Sequence, residues 1–236
     1  MKLPKMSLFK RSGIGAASTC EAIGWRPDKI VQAGVGINHQ EIDIFAEGWE
    51  IPPERIIGYE ACPPIYQDIK KEFPGRICNV ALSDESGEIT ILQKINHSDG
   101  SSIYPYIKEE KTKEFVVARE RLDDIIPIGF CSSRFDVLLW VDVEGHELNV
   151  LKGAEEFIRS NVGVINIEMT PNPVGIGWCD TLEVHEWLMD HGFYRQWIHT
   201  HRIDDGQYDC VYVRKHIFKP EKSCCPFSVR KWEKDK

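Results

Sequence analysis

The sequence predicts an α/β fold: a doubly wound, mainly parallel sheet with a C-terminal antiparallel hairpin. Three observations carry this. Short apolar segments of strand length alternate with segments of helical period along most of the chain, the pattern of successive βαβ units covered on both faces. The last two strand-like segments are separated only by "RIDDGQ", residues 202–207, which suits a hairpin. With 236 residues, 42% apolar and 28% charged, the chain has the composition of a soluble globular protein and can bury one large core.

The elements follow in order. "KIVQAG" (29–34) is a short buried strand, and "HQEIDIFAEGW" (39–49) places Ile42, Phe45, Ala46 and Trp49 at helical spacing. "RIIGYE" (55–60) is a second strand; "PPIYQDIKKEF" (63–73) opens with prolines suited to a first helical turn and stops before Pro74-Gly75. "RICNVALS" (76–83) is a third strand, and the alternating, turn-bounded "SGEITILQK" (86–94) a fourth. A long polar stretch (95–113) predicts a surface loop of a length found where a loop covers a site. "EFVVARERLDDIIP" (114–127) adds a short strand and turn. "FDVLLWVDV" (135–143) is a strand, 146–160 a helix with Leu148, Leu151, Ala154, Phe157 and Ile158 on one face, and "VGVINIEM" (162–169) a strand. A helix over 181–193 and the hairpin of 194–201 and 208–215 complete the unit. Residues 1–25 read as a lead-in, 26–215 as the domain and 216–236 as a charged tail.

Charge and cysteine usage exclude several classes. Lys and Arg total 29 against 37 Asp and Glu, so the basic footprint of a nucleic-acid binder is missing. The eight cysteines form no C-x-x-C pair and have no histidine at zinc-finger spacing, which suits scattered thiols in a reducing compartment. The N-terminal stretch lacks the apolar core of a signal peptide, and no apolar run approaches membrane-spanning length. A cytoplasmic protein without membrane partners is expected.

The first βα turn is "VQAGVGINHQE". Gly34 and Gly36 fall where the first strand ends, where glycine lets the backbone take positive φ or approach a ligand; a plain glycine turn is the other reading. Asn38 tolerates left-handed geometry and can cap the next helix, with Glu41 completing a capping box. A dinucleotide fingerprint requires a third glycine, and His39 stands there, which argues against a nicotinamide-dependent oxidoreductase. The remaining Q-x-G-x-G, beginning at Gln32, suits a smaller adenosyl ligand. Glu60 ends the second strand, where a carboxylate can accept hydrogen bonds from ribose hydroxyls or simply be an exposed acid.

Asp142 ends the strand of 135–141, at the edge where open α/β sheets bind ligands. Glu144 and Glu147 lie in or near the following first helical turn, where the helix dipole offsets their charge by about 0.3–1 kcal/mol each. For Glu147 that account suffices. Glu168 ends the next strand, and neighbouring strands lie about 4.8 Å apart, so Asp142 and Glu168 can converge to attract a cation, share a proton or deprotonate a hydroxyl. His39 and His146 each follow a strand and are either bases or ordinary helix-start residues.

These residues resemble the FkbM-type methyltransferases, within the class I S-adenosylmethionine-dependent enzymes of Rossmann-like fold. The match is Asp142-Val-Glu-Gly-His-Glu147 followed by Leu151-Lys-Gly-Ala154, with "ALSDESGE" (81–88), the Ser101-Ser102 pair, "RLDDI" (121–125) and Glu168 in support. The resemblance implies S-adenosylmethionine as cofactor, its methionine part bordered by Gly34 and Gly36, its ribose held by Glu60 and its adenine near Ala81, Leu82 and Ser83, with Gln32, Asn38 and Asp142 as further cofactor-binding candidates. Gly36 stands where the family commonly has Asn, and Asn38 where it commonly has Gly. The expected reaction is O-methylation of a small molecule or sugar, with Asp142, Glu144 and Glu168 as catalytic candidates and the 101–106 loop closing the site. No residue is assigned to a metal, and a divalent cation has no ligand motif in its favour. The altered first motif motivates the alternative of a catalytically inactive binding or scaffold protein.

Overall fold

The computed structural model describes residues 15–37, 40–95, 101–108, 111–130, 134–172, 175–200 and 207–217. In chain order the elements are α1 (Gly15–Ile23), β1 (Lys29–Ala33), α2 (Gln40–Trp49), β2 (Ile56–Tyr59), α3 (Pro63–Ile69), β3 (Arg76–Cys78), β4 (Ala81–Leu82), β5 (Gly87–Lys94), β6 (Ser101–Ser102) and β7 (Thr112–Glu120). There follow α4 (Leu122–Ile125), β8 (Val137–Val141), α5 (Glu147–Gly153), α6 (Glu155–Asn161), β9 (Val162–Met169), α7 (Thr181–Asp190), β10 (Phe193–Thr200) and β11 (Tyr208–Arg214).

Seven strands form the main sheet in the order β10-β11-β9-β8-β1-β2-β3. The pairs β1–β2, β2–β3, β1–β8 and β8–β9 are parallel, while β11 runs antiparallel to both β9 and β10. The expected Rossmann-like arrangement with its antiparallel hairpin is therefore present. Because β8 follows β7 in sequence yet lies beside β1, the strand order reverses there, and the carboxyl edge between them is where a ligand crevice opens.

Period-two alternation divides the core between the faces. On one side Ile30, Leu138, Val164 and Val213 pack with Ile23 of α1, Phe45 of α2 and Ile65 of α3. On the other, Val31, Leu139, Ile165 and Tyr212 pack with Leu122, Leu151, Ile158 and Leu188 of α4–α7. A fully buried side chain such as Leu139 contributes about 1.5–3 kcal/mol by leaving water. At the opposite, amino edge, Lys29 is buried and answered by Asp136 at 2.6 Å and Asp28 at 3.0 Å.

Four differences from the sequence reading have local causes. Residues 15–23, within the segment read as a lead-in, form helix α1, which packs on β9, β10 and β11. Residues 76–83 are one apolar run but two strands: β3 closes the main sheet, and β4 begins a second, four-stranded sheet of order β4-β7-β5-β6. The short strand expected at 114 starts at Thr112 and runs nine residues, paired along its length with β5. The helix expected over 146–160 breaks at Ala154, whose φ of −118° and ψ of 14° leave the helical region. No described helix is long and apolar enough to cross a membrane.

Candidate active site

The glycine turn after β1 is built by contact as well as by conformation. Gly34 has φ +75°, and a β-carbon on it would stand 1.7 Å from the carbonyl oxygen of Asp142; Gly36, at φ +64°, faces open space. Gly34 N–H donates to the Tyr59 carbonyl and Asp142 N–H to that of Ala33, so turn and strand ends are tied together. Glu60 completes the knot. One carboxylate oxygen accepts from Val35 N–H (3.2 Å) and Gly36 N–H (3.0 Å), the other from Cys62 N–H (2.8 Å). Burial raises the Glu60 pKa, and these three N–H donors work against that rise. Glu60 is thus a buried clamp on the glycine turn, not an exposed acid.

The turn from Asp142 to Glu147 carries most of the polar chemistry. Glu144 has a left-handed backbone (φ +52°) and Gly145 follows at φ +97°. Non-glycine residues in that region cost about 1–2 kcal/mol and persist only where neighbours hold them. Glu147 supplies part of the hold: it is buried, with one oxygen accepting from Gly145 N–H at 3.1 Å and, more distantly, Val143 N–H at 3.4 Å. Its other oxygen accepts from the Cys179 thiol at 3.1 Å. The sequence reading of Glu147 as ordinary helix-start charge is therefore corrected. Burial pushes its pKa up, with the same donors opposing. The Trp178 ring closes over Gly145, where a β-carbon would come within 2.3 Å of it.

Asp142, Glu144 and Glu168 converge. Register explains two of them: β8 and β9 pair Val141 with Ile167, so one step further Asp142 comes opposite Glu168 on the same face. One carboxylate oxygen from each of the three lies within 4.8 Å of the others. Burial, then the charges of Asp142, Glu144, Glu147 and Asp209, hold the Glu168 pKa well above the usual carboxylate range. Such a cluster binds positive charge, as a proton shared among the three or as a cation between them. The sequence brings Asp142 and Glu168 together by register, and the structure adds Glu144 to the pair.

Beside the cluster is a cavity whose wall includes Gly34, Gly36, Glu60, Ala81, Leu82, Asp142 and Glu144. Gln32 is buried in β1 and Ser83 is buried behind the wall; neither lines the cavity. Glu168 touches its rim only through its carboxylate neighbours. Asn38 and His39 lie outside the described residues. His146 does line it and is buried, its Nε2 2.9 Å from Ser83 Oγ and its Nδ1 3.1 Å from the Tyr104 hydroxyl. Burial brings its pKa down to about 4, Arg119 adding to the fall and Asp84 opposing it. His146 is neutral near pH 7, and both ring nitrogens are engaged. Tyr104, which carries no motif, was not singled out by the sequence.

The supporting motifs also gain a physical meaning. Asp123 of "RLDDI" accepts from Glu156 N–H and Phe157 N–H at the start of α6, while Arg121 donates to the Asp84 carbonyl. Gly153 of "LKGA" packs directly on the backbone of Ser83.

Residues 52–202 match the family described as Methyltransferase FkbM domain. Among solved structures, the methyltransferase FkbM from Methylobacillus flagellatus is similar, with a TM-score of 0.53 and 14% identity, over 79% of this chain and 43% of that one. This chain thus spans less than half of that protein's length. Aeropyrum pernix fibrillarin with natively bound S-adenosyl-L-methionine aligns with a TM-score of 0.46 and 12% identity, over 88% of this chain and 74% of that one. The magnesium protoporphyrin IX methyltransferase of Synechocystis, also with the cofactor bound, gives 0.46 and 8%, over 89% and 78%. No curated protein sequence matches. At these identities the structural likeness is one of fold. The family match covers more than half of the sequence and includes the Asp142–Ala154 signature, and the chain belongs to the FkbM methyltransferases.

Proposed function

We propose that this protein methylates an oxygen of a small hydroxylated molecule, sugars included, with S-adenosylmethionine as methyl donor. The convergence of Asp142, Glu144 and Glu168 beside the glycine-turn cavity is the observation that carries the reading. The cavity fits the cofactor's parts: Gly34 and Gly36 leave backbone open to the methionine end, Glu60 offers a carboxylate for ribose, and Ile65, Val80 and Leu82 give an apolar wall for adenine. When bound, S-adenosylmethionine supplies an electrophilic methyl on a sulfonium, so that attack by the acceptor oxygen breaks the carbon–sulfur bond and leaves the hydroxyl proton to be accepted.

The carboxylate cluster accepts that proton. Asp142, at the strand end and on the cavity wall, is the base or the anchor that orients the acceptor hydroxyl. Burial and the charges of Asp142 and Glu144 raise the proton affinity of the neighbouring Glu168, so the cluster as a whole can take up and hold a proton. The same negative field attracts a sulfonium and disfavours phosphorylated or carboxylated acceptors. Three converging carboxylates speak against the alternative of an inactive scaffold, which has no use for so costly an arrangement.

Two measurements test this. Calorimetric titration with S-adenosylmethionine is expected to give saturable binding; none at millimolar cofactor would sink the reading. Incubation with methyl-deuterated cofactor and extract from the native source, followed by mass spectrometry, is expected to place the label on a small-molecule oxygen. Label on nitrogen or carbon would overturn O-methylation and leave methyl transfer standing.

A further inference from the structure

We infer that residues 101–108 form a strap that positions Glu144 for the proposed methyl transfer, with Ser102 and Tyr104 as its two positioning anchors. The inference rests on the functional reading above only for the role given to Glu144.

Ser101 and Ser102 form strand β6, and the chain bends at Ile103 and Tyr104. Ser101 and Ile103 line the cavity, and Ser102 and Tyr104 face the Glu144–His146 turn. Ser102 is 1% exposed; its hydroxyl donates to the carbonyl of Glu144 at 2.8 Å and accepts from Tyr104 N–H at 3.1 Å. The peptide it grips is the one at left-handed φ, so this bond sets where the Glu144 carboxylate points.

The second anchor has a fixed polarity. Ser83 Oγ donates to Asp84 Oδ1, using its one proton, so it must accept from Nε2–H of His146. Nδ1 of His146 then carries no proton and accepts from the Tyr104 hydroxyl. The chain Tyr104, His146, Ser83, Asp84 runs donor to acceptor without a break and ends on a carboxylate. Burial keeps His146 neutral, as this arrangement requires. Beyond Tyr104 the strap is tied to a second element: Ile176 N–H donates to the Pro105 carbonyl at 2.7 Å, Tyr106 bridges Gly175, and the Tyr104 ring abuts Gly177. One short segment therefore ties the Glu144–His146 turn to the 175–177 segment.

The test uses Tyr104→Phe and Ser102→Ala in the full chain, read by hydrogen exchange and by carboxyl-carbon NMR titration of Glu168. Glu168 is faced by Asp142, Glu144, Glu147 and Asp209, so displacement of Glu144 changes its midpoint, whereas simple loosening elsewhere does not. Amide exchange over 101–108 is expected to quicken about fivefold to tenfold in either variant, the loss of one net hydrogen bond. In Ser102→Ala the Glu168 midpoint should fall toward the ordinary glutamate value, and Ser102→Thr, which keeps the hydroxyl, should restore it. Unchanged exchange overturns the anchors, and faster exchange with an unmoved midpoint overturns the positioning of Glu144. Both readouts need no cofactor, so failure of S-adenosylhomocysteine to bind wild type would overturn the methyltransferase reading separately.

Discussion

The carbonyl oxygen of Ser83 occupies the place of a side chain on Gly153: a β-carbon there would lie 1.7 Å away. This contact seats α5 on the strand end that carries Ser83, and so sets His146, one residue ahead of the helix, against the Ser83 hydroxyl. Gly153→Ala should cost about 3 kcal/mol or more, because backbone rather than a flexible side chain must move. Gly24→Ala, at φ +66° with open space around it, is the control and should cost only about 1–2 kcal/mol. Urea unfolding of both variants measures the difference.

Asp142→Asn should lower methyl transfer by about a hundredfold or more, the range for loss of a general base. The backbone N–H of Asp142, which donates to the Ala33 carbonyl and so ties β8 to β1, survives the change. Cofactor affinity by calorimetry should accordingly shift by less than about fivefold. Near-normal turnover would remove Asp142 from the chemistry.

Glu168→Gln should stabilise the fold while impairing transfer. Because the pKa of Glu168 is raised in the folded state, the folded protein binds more protons than the unfolded chain above the usual glutamate range. Stability is then lost as pH rises through the folded value. The neutral variant should show a flatter stability profile above the ordinary glutamate range and should gain on wild type as pH rises. A variant less stable than wild type at pH 8 would contradict the proposed repulsion.

His146 gives the opposite slope. Its pKa falls from 6.5 to about 4 on folding, so below 6.5 the unfolded chain binds the extra proton. Its contribution is complete above about pH 6.5 and declines toward pH 4, by up to about 3 kcal/mol. Subtracting the His146→Gln profile from that of wild type, by denaturant midpoints at each pH, isolates the effect from the carboxylates. A flat difference would mean that the imidazole is accessible to water.

Glu60→Gln replaces one of two accepting oxygens with an amide donor, facing either Cys62 N–H or the pair from Val35 and Gly36. Cofactor affinity should drop about tenfold or more as the glycine turn loosens. Calorimetry on a variant of unchanged melting temperature decides it.

The sheet edge was legible because a strand leaves a continuous apolar run: "VLLWVD" and "VINIE" each end on an acid, and parallel register does the rest. Glu60 and the glycines were legible for the same reason. The apolar run of 76–83 marks burial without saying which sheet buries it, so the switch from β3 to β4 was hidden. Glu147 looks like any helix-start acid until its burial is known. Tyr104 and Ser102 reach partners 42 residues away through single hydroxyls, which leave no periodic trace in the sequence.

The strap belongs to the β4-β7-β5-β6 sheet, inserted between the two halves of the main sheet, while Gly34, Glu60 and Asp142 sit on the central strands. Because Leu82, Ile91 and Ser101 of this sheet line the cavity, only its outward face, where Val116 of β7 stands exposed, can change without touching the donor site. Divergence among relatives should therefore concentrate on that outward face, and spare 81–83 and Ser101-Ser102.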